Sequence, residues 1–223
     1  MTWMARLVAL SACISIVTIA AACAAVTDAA VPPVLAKIIA SAEHRKAVIE
    51  AAQQSSAWLN NRCGRATFAI TPDVAIYQAP ELDAQARPTA GAWRERIIAT
   101  GCGASRTLNV LTFVKSPGSL VSGTLLPGTT RADPLLQRDA FHYATVAAAA
   151  RATCGQTYVA DTAFAGIEGA ANASLPPGRR YPPWKEEWTV VACDRRSVIT
   201  LHFAPDATGT NITAHLNETR PAR

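Results

Sequence analysis

The chain has 223 residues, enough for one domain or two small ones. Half of its residues are hydrophobic and 17% are charged, which excludes an intrinsically disordered chain. Its net charge of +5 is spread along the sequence without a basic block, so nothing in it argues for nucleic acid as a partner.

Residues 1–25 read as an export signal. One positive charge lies within the first six residues, and no charged residue follows from Leu7 to Ala25. Small residues then cluster around Ala20-Ala21-Ala22-Cys23-Ala24-Ala25. A charged start, an apolar stretch and a small-residue cleavage zone are the parts of a secretory signal. A membrane anchor is the competing reading, because the apolar run is about as long as a short spanning helix. The Ala-rich end and the polar Thr27-Asp28 favour cleavage. Cleavage at Ala24 or a later Ala frees a soluble chain. Alternatively, Ala20-Ala21-Ala22-Cys23 resembles a bacterial lipobox, with Cys23 as the lipidated N-terminus. Membrane association is expected only through that lipid, since no later segment holds 18 consecutive apolar residues.

Beyond the signal, four cysteines remain: Cys63, Cys102, Cys154 and Cys193. Cys63 and Cys102 are 39 positions apart, as are Cys154 and Cys193, and the two pairs are offset by 91. Other landmarks share that offset. Cys63-Gly64 matches Cys154-Gly155, and Trp93-Arg94-Glu95 matches Trp184-Lys185-Glu186. Gly118 matches Gly209, and Leu125 matches Leu216. The register is ambiguous by one residue around Phe113 and Phe203. These coincidences predict a domain-scale tandem duplication, with repeat one at 31–125, repeat two at 126–217 and a tail at 218–223. In an exported chain they also predict the bridges Cys63–Cys102 and Cys154–Cys193, each worth roughly 4 kcal/mol in the chain-entropy model.

Each repeat opens with a helical pattern. Apolar residues recur at three-to-four spacing over 34–61, with a break near Ser41. Asp133-Pro134 is an N-cap and first-turn pair for a second helix running to about residue 152. Both helices stop at a Cys-Gly. Strands are expected at 66–70 and 157–164, then Pro-rich loops at 80–91 and 170–183. Further strands are expected at 93–102 and 184–193, at 106–114 and 197–203, and at 120–125 and 211–216. The expected fold is α+β, each repeat being one helix followed by an antiparallel sheet of three to four strands.

Strand alternation places Trp184, Glu186, Trp188 and Val190 on one face, and Val191 and Cys193 on the other. If Cys193 is bridged to a cysteine at the helix end, the Trp row faces away from the helix. Trp93, Glu95, Ile97 and Ala99 form the matching row. Such a stripe needs a cover, supplied by the other repeat, a ligand or a partner.

Glu95 and Glu186 are candidate catalytic carboxylates, because paired acids suit glycosidic acid–base chemistry. The alternative is that they maintain packing. His44, His142, His202 and His215 have no counterparts between repeats and no shared ligand spacing, so no metal site is expected. No phosphate-binding glycine motif and no G-x-S-x-G is present, and no cofactor is expected. The segment Leu175-Pro-Pro-Gly-Arg179-Arg180-Tyr181-Pro-Pro is a candidate binding loop, stiffened by proline and carrying typical contact residues. Trp93, Trp184 and Trp188 join it as binding candidates.

The stretch Trp184-Lys-Glu-Glu-Trp188-Thr-Val-Val-Ala-Cys193, with Phe203-Ala-Pro-Asp206 and Gly209-Thr210 after it, resembles a W-x-E-x-W…C pattern of uncharacterised exported proteobacterial proteins. Repeat one departs from it, with Ile97 at the place of the second Trp. The resemblance implies a periplasmic or outer-membrane-associated location and no particular activity. The leading expectation is a non-catalytic binding or interaction module of the bacterial envelope, with a protein or an envelope component as partner. A hydrolase using Glu95 and Glu186 is one alternative. A structural lipoprotein subunit of an envelope complex, held by Cys23, is another.

Overall fold

The computed structural model describes residues 31–60, 64–149, 156–176, 180–193 and 195–222. The expected signal and Cys23 lie outside them. Among the described residues, no helix is long and apolar enough to cross a membrane.

Serine caps divide the first helical region. Helix α1 (Pro33–Ala40) begins with proline in its first turn and ends at Ser41, whose extended backbone stops the helix. The Ser41 hydroxyl then accepts the His44 amide and starts α2 (Ala42–Ala52). Ser55 repeats the device for α3 (Ser56–Leu59), accepting the Trp58 amide. The break at Ser41 agrees with the sequence, but repeat one carries three helices where one was expected.

Four strands follow, β1 (Thr67–Leu82), β2 (Pro88–Gly101), β3 (Ala104–Ser116) and β4 (Ser119–Thr124), paired antiparallel in that order. The 80–91 segment is therefore not a long loop. Its prolines sit at the far end of the edge strand β1 and at the first residue of β2, where a missing N–H does little harm. The connection at 83–87 is tight. Asp83 Oδ1 accepts the amides of Gln85 and Arg87, and its Oδ2 meets the Arg87 guanidinium at 2.8 Å.

Repeat two opens with α4 (Pro134–Ala149), capped as expected by Asp133, whose Oδ1 accepts the amides of Leu135 and Leu136. The expected helix end near 152 lies outside the described residues. Strands β5 (Thr157–Ile167), β6 (Trp184–Ala192), β7 (Arg195–Pro205) and β8 (Thr210–Ala214) form the second antiparallel sheet. The segment 218–223 is more than a tail, because β9 (Arg220–Pro221) pairs with Ser197 and Val198 of β7. The fold is thus α+β with antiparallel sheets of four and five strands, each preceded by helices, which is consistent with a tandem repeat.

The pairing also removes the register ambiguity. Trp93 lies opposite Thr112, and Trp184 lies opposite Phe203, so the offset of 91 runs through both hairpins without a gap. Phe113 is half exposed and is not the equivalent of the buried Phe203.

The orientation of the Trp rows is opposite to the expected one. Trp184, Trp188 and Val190 face α4, packing with Ala140, Ala144, Ala147 and Ala148. Small residues on one helix stripe let the backbone approach two indoles closely. In repeat one, Ile97 and Ala99 pack with Val48 and Ala52 of α2. The helices are the cover; no pseudo-twofold contact between Trp faces is needed. The reason lies in the cysteines. Cys102 and Gly103 both have positive φ (50° and 76°) between the paired Gly101 and Ala104, a two-residue type I′ turn. Cys193 has φ 50° just after Ala192, which pairs with Arg195. Both cysteines are turn residues, so strand alternation does not fix their direction.

The connection at 125–132 holds the two sheets together. Gly128 N donates to Thr107 O of β3 at 2.9 Å, and Thr129 N donates to Thr162 O of β5 at 2.7 Å. Asn109 donates its side-chain amide to Leu126 O and Gly128 O. Gly128 has φ +94°, and a Cβ there would stand 2.0 Å from Thr162 O.

Candidate functional site

The two Trp-x-Glu motifs build two buried hydrogen-bond centres. Residues two apart on a strand share a face, so each indole N–H reaches the carboxylate of its own motif. Trp93 Nε1 donates to Glu95 Oε2 at 3.1 Å, and Trp184 Nε1 donates to Glu186 Oε1 at 2.9 Å. The remaining partners differ. His44 Nε2 bonds Glu95 Oε2 from the first turn of α2. Glu186 Oε2 accepts Trp188 Nε1 at 2.8 Å, and its Oε1 accepts the Arg131 amide at 2.8 Å. The glutamates are 1% and 0% exposed and share no hydrogen-bond partner among the described residues. A buried carboxylate and a buried indole N–H each need a partner, and here each supplies the other. That mutual need explains why the motif recurs in both repeats.

The expected binding tryptophans are core residues. Trp93 and Trp188 are fully buried, and Trp184 nearly so, stacked on Phe203 at 4.8 Å. In the Pro-rich loop, Arg180 Nε donates to Leu175 O at 2.6 Å, so this guanidinium braces the loop itself. Tyr181 is 63% exposed. Arg179 lies outside the described residues. Cys102 and Cys193 are disulfide-bonded, while their expected partners Cys63 and Cys154 also lie outside.

Two clusters were not foreseen. The first lies on the face of β2 opposite Trp93 and Glu95. Arg94 Nη2 meets Asp73 Oδ1 at 2.7 Å, and Arg96 Nη1 meets Asp73 Oδ2. Two guanidiniums therefore share one carboxylate. The Nε of each is buried and has no hydrogen-bond partner among the described residues. Burial, followed by repulsion from Arg94, holds the Arg96 pKa below its usual value. Tyr77 stands beside them. Burial raises its phenol pKa against the pull of Arg94, and Asp133 adds to the rise. The sequence signal was Arg94-x-Arg96, two cations on one strand face.

The second cluster lies on the outer face of the other sheet. His202 of β7 presents Nδ1 to both oxygens of Glu168, at 2.9 and 2.8 Å, and Nε2 to Glu218 Oε2 at 3.0 Å. His215 lies against it, with ring centroids 5.2 Å apart. Partial burial alone would lower the His202 pKa, but the bonds to Glu168 and Glu218 outweigh it and the pKa is raised. Sequence spacing alone does not bring these two histidines together; the fold does. His215-x-x-Glu218 was the visible signal; its meeting with His202 needed the β7–β8 pairing, which sets Thr213 opposite His202.

Compared with protein-family models, with curated proteins and with solved structures, the chain matches none.

Proposed function

We propose that the chain is an exported bacterial envelope protein, a non-catalytic binding module that holds an anionic group of cell-envelope material at Arg94 and Arg96. One observation carries the reading. Two guanidiniums share the single carboxylate of Asp73, and the side chain of Arg96 is partly open to solvent. A second carboxylate or a phosphate is the group that a guanidinium binds best. Arg96 and Tyr77 reach solvent, with Arg94 behind them. The glutamates are poor candidates for catalysis, because each is sealed in its own core and held by N–H donors. Export rests on the sequence of residues 1–25 and on the disulfide-bonded state of Cys102 and Cys193.

The test is co-sedimentation of the purified mature protein with peptidoglycan sacculi, whose peptides carry free carboxylates. Binding that weakens with salt and falls at least about tenfold in Arg96→Gln supports the reading. Absence of binding, or equal binding by a folded Arg96→Gln variant, removes it.

A further inference from the structure

His202, His215 and Glu218 bring two imidazoles and one carboxylate to one place. Their ligand atoms all lie within 4.8 Å of one another. The chain builds this cluster from three separate points. His202 stands on β7, His215 directly follows β8, and Glu218 ends the 3-10 turn Leu216–Glu218. A turn of this type eclipses positions three apart, so His215 and Glu218 project to the same side. Lys185 of β6 and Thr213 of β8 flank His202 in the sheet.

A fourth residue gives the cluster its chemical direction. Glu168, directly after β5, takes His202 Nδ1 with both of its oxygens. That bond fixes the imidazole plane and leaves Nε2 as the atom facing Glu218 and His215. A carboxylate behind the non-ligating nitrogen is the usual support of a metal-binding histidine, fixing its tautomer and raising its basicity. Surface ion pairs have no need of such a two-layer arrangement. The spacing also suits a metal. Zinc bonds of about 2.0–2.1 Å at tetrahedral angles set two ligand atoms about 3.3 Å apart. His202 Nε2 and Glu218 Oε2 are 3.0 Å apart, bonded through a proton that an ion would replace. His215 and Glu218 are exposed and free to turn toward the shared centre.

We propose that His202, His215 and Glu218 bind one divalent transition-metal ion of the zinc class, with Glu168 as the residue that positions His202. Two imidazoles and a carboxylate are borderline ligands that favour Zn2+ over Mg2+ or Ca2+, and three protein ligands leave a fourth position open. The site is independent of the Arg94–Arg96 cluster, which lies on the other sheet. It joins the start of the Pro-rich loop, at Glu168, to the C-terminal segment, at Glu218. Glu168 N also donates to Pro183 O, so the same residue closes that loop at its base.

The experiment is calorimetric titration of the tag-free mature protein with Zn2+, repeated with Mg2+, and absorption spectroscopy with Co2+ as the coloured probe. The expected result is saturable binding of one Zn2+ per chain, no binding of Mg2+, and a Co2+ spectrum of low coordination number. His215→Ala and Glu218→Gln, both at exposed positions, abolish it while the circular dichroism spectrum stays unchanged. Glu168→Gln keeps the stoichiometry but weakens Zn2+ about 10–100-fold, an effect that a purely structural residue would not produce. The proposal is overturned if Zn2+ does not saturate at one site, or if His215→Ala binds it as tightly as the parent chain.

Discussion

Trp184 donates its indole N–H to Glu186, two positions along the same strand, at 2.9 Å. Trp93 and Glu95 stand in the same relation in repeat one. The duplicated feature is thus an internal hydrogen bond of the core. The two centres differ in how full they are. Among the described residues, both of Glu95's bonds fall on Oε2, whereas Glu186 uses both oxygens for three N–H donors.

That difference predicts unequal responses to the same substitution. An amide oxygen replaces Oε2 of Glu95 without losing either bond. At Glu186 the amide nitrogen must face an N–H donor whichever way it turns. Glu186→Gln is expected to cost about 1–3 kcal/mol, and Glu95→Gln less. Urea unfolding with an unchanged m-value measures both, and equal losses would contradict the geometry.

Gly128→Ala puts a methyl group 2.0 Å from Thr162 O at a φ of +94°. Backbone on one side and strain on the other leave no direction of relief. A loss of roughly 2–4 kcal/mol is expected in the same unfolding experiment. Gly103→Ala is the informative comparison. Its Cβ would meet nothing within 4 Å, so only the φ of +76° is strained.

Non-reducing peptide mapping is expected to return Cys63–Cys102 and Cys154–Cys193. Loss of either bridge by Cys→Ser pairs is expected to cost about 2–4 kcal/mol. A peptide linking the two repeats would refute the pairing.

Tyr77 gives the alkaline behaviour a defined sign. Burial disfavours its phenolate, so the folded state releases that proton later than the unfolded chain. Folding therefore loses stability as pH rises from the ordinary tyrosine pKa of about 10 toward the raised folded value, and is unaffected below it. Tyr77→Phe removes this loss. Ultraviolet difference titration shows one phenol ionising late in the parent chain and absent from the variant.

Local signals were legible in the sequence and long-range ones were not. Asp133-Pro134 announces its cap, and Ser41 its break, because such signals are decided within four residues. The strands and their 91-residue offset follow from alternation and from the repeated Trp-x-Glu. The facing of the Trp rows failed at one residue, since Cys193, a turn residue with a φ of 50°, looks in sequence like the last residue of a strand. The prolines at 80–91 suggested a loop because nothing local marks β1 as an edge strand. His44 gave no sign of meeting Glu95, although His44, Val48 and Ala52 are spaced as one helix stripe. The meeting of His202, His215 and Glu218 depends on strand pairing and a C-terminal turn together.

Gly128 and Thr129 are neighbours in the chain, yet one is bonded to Thr107 and the other to Thr162. A single peptide step spans the seam between the halves. Two lobes that opened and shut on a guest would need slack at that step, and there is none. The two halves are therefore expected to melt in a single calorimetric transition, and a ligand that either half binds is expected to meet a surface already formed rather than a closing cleft.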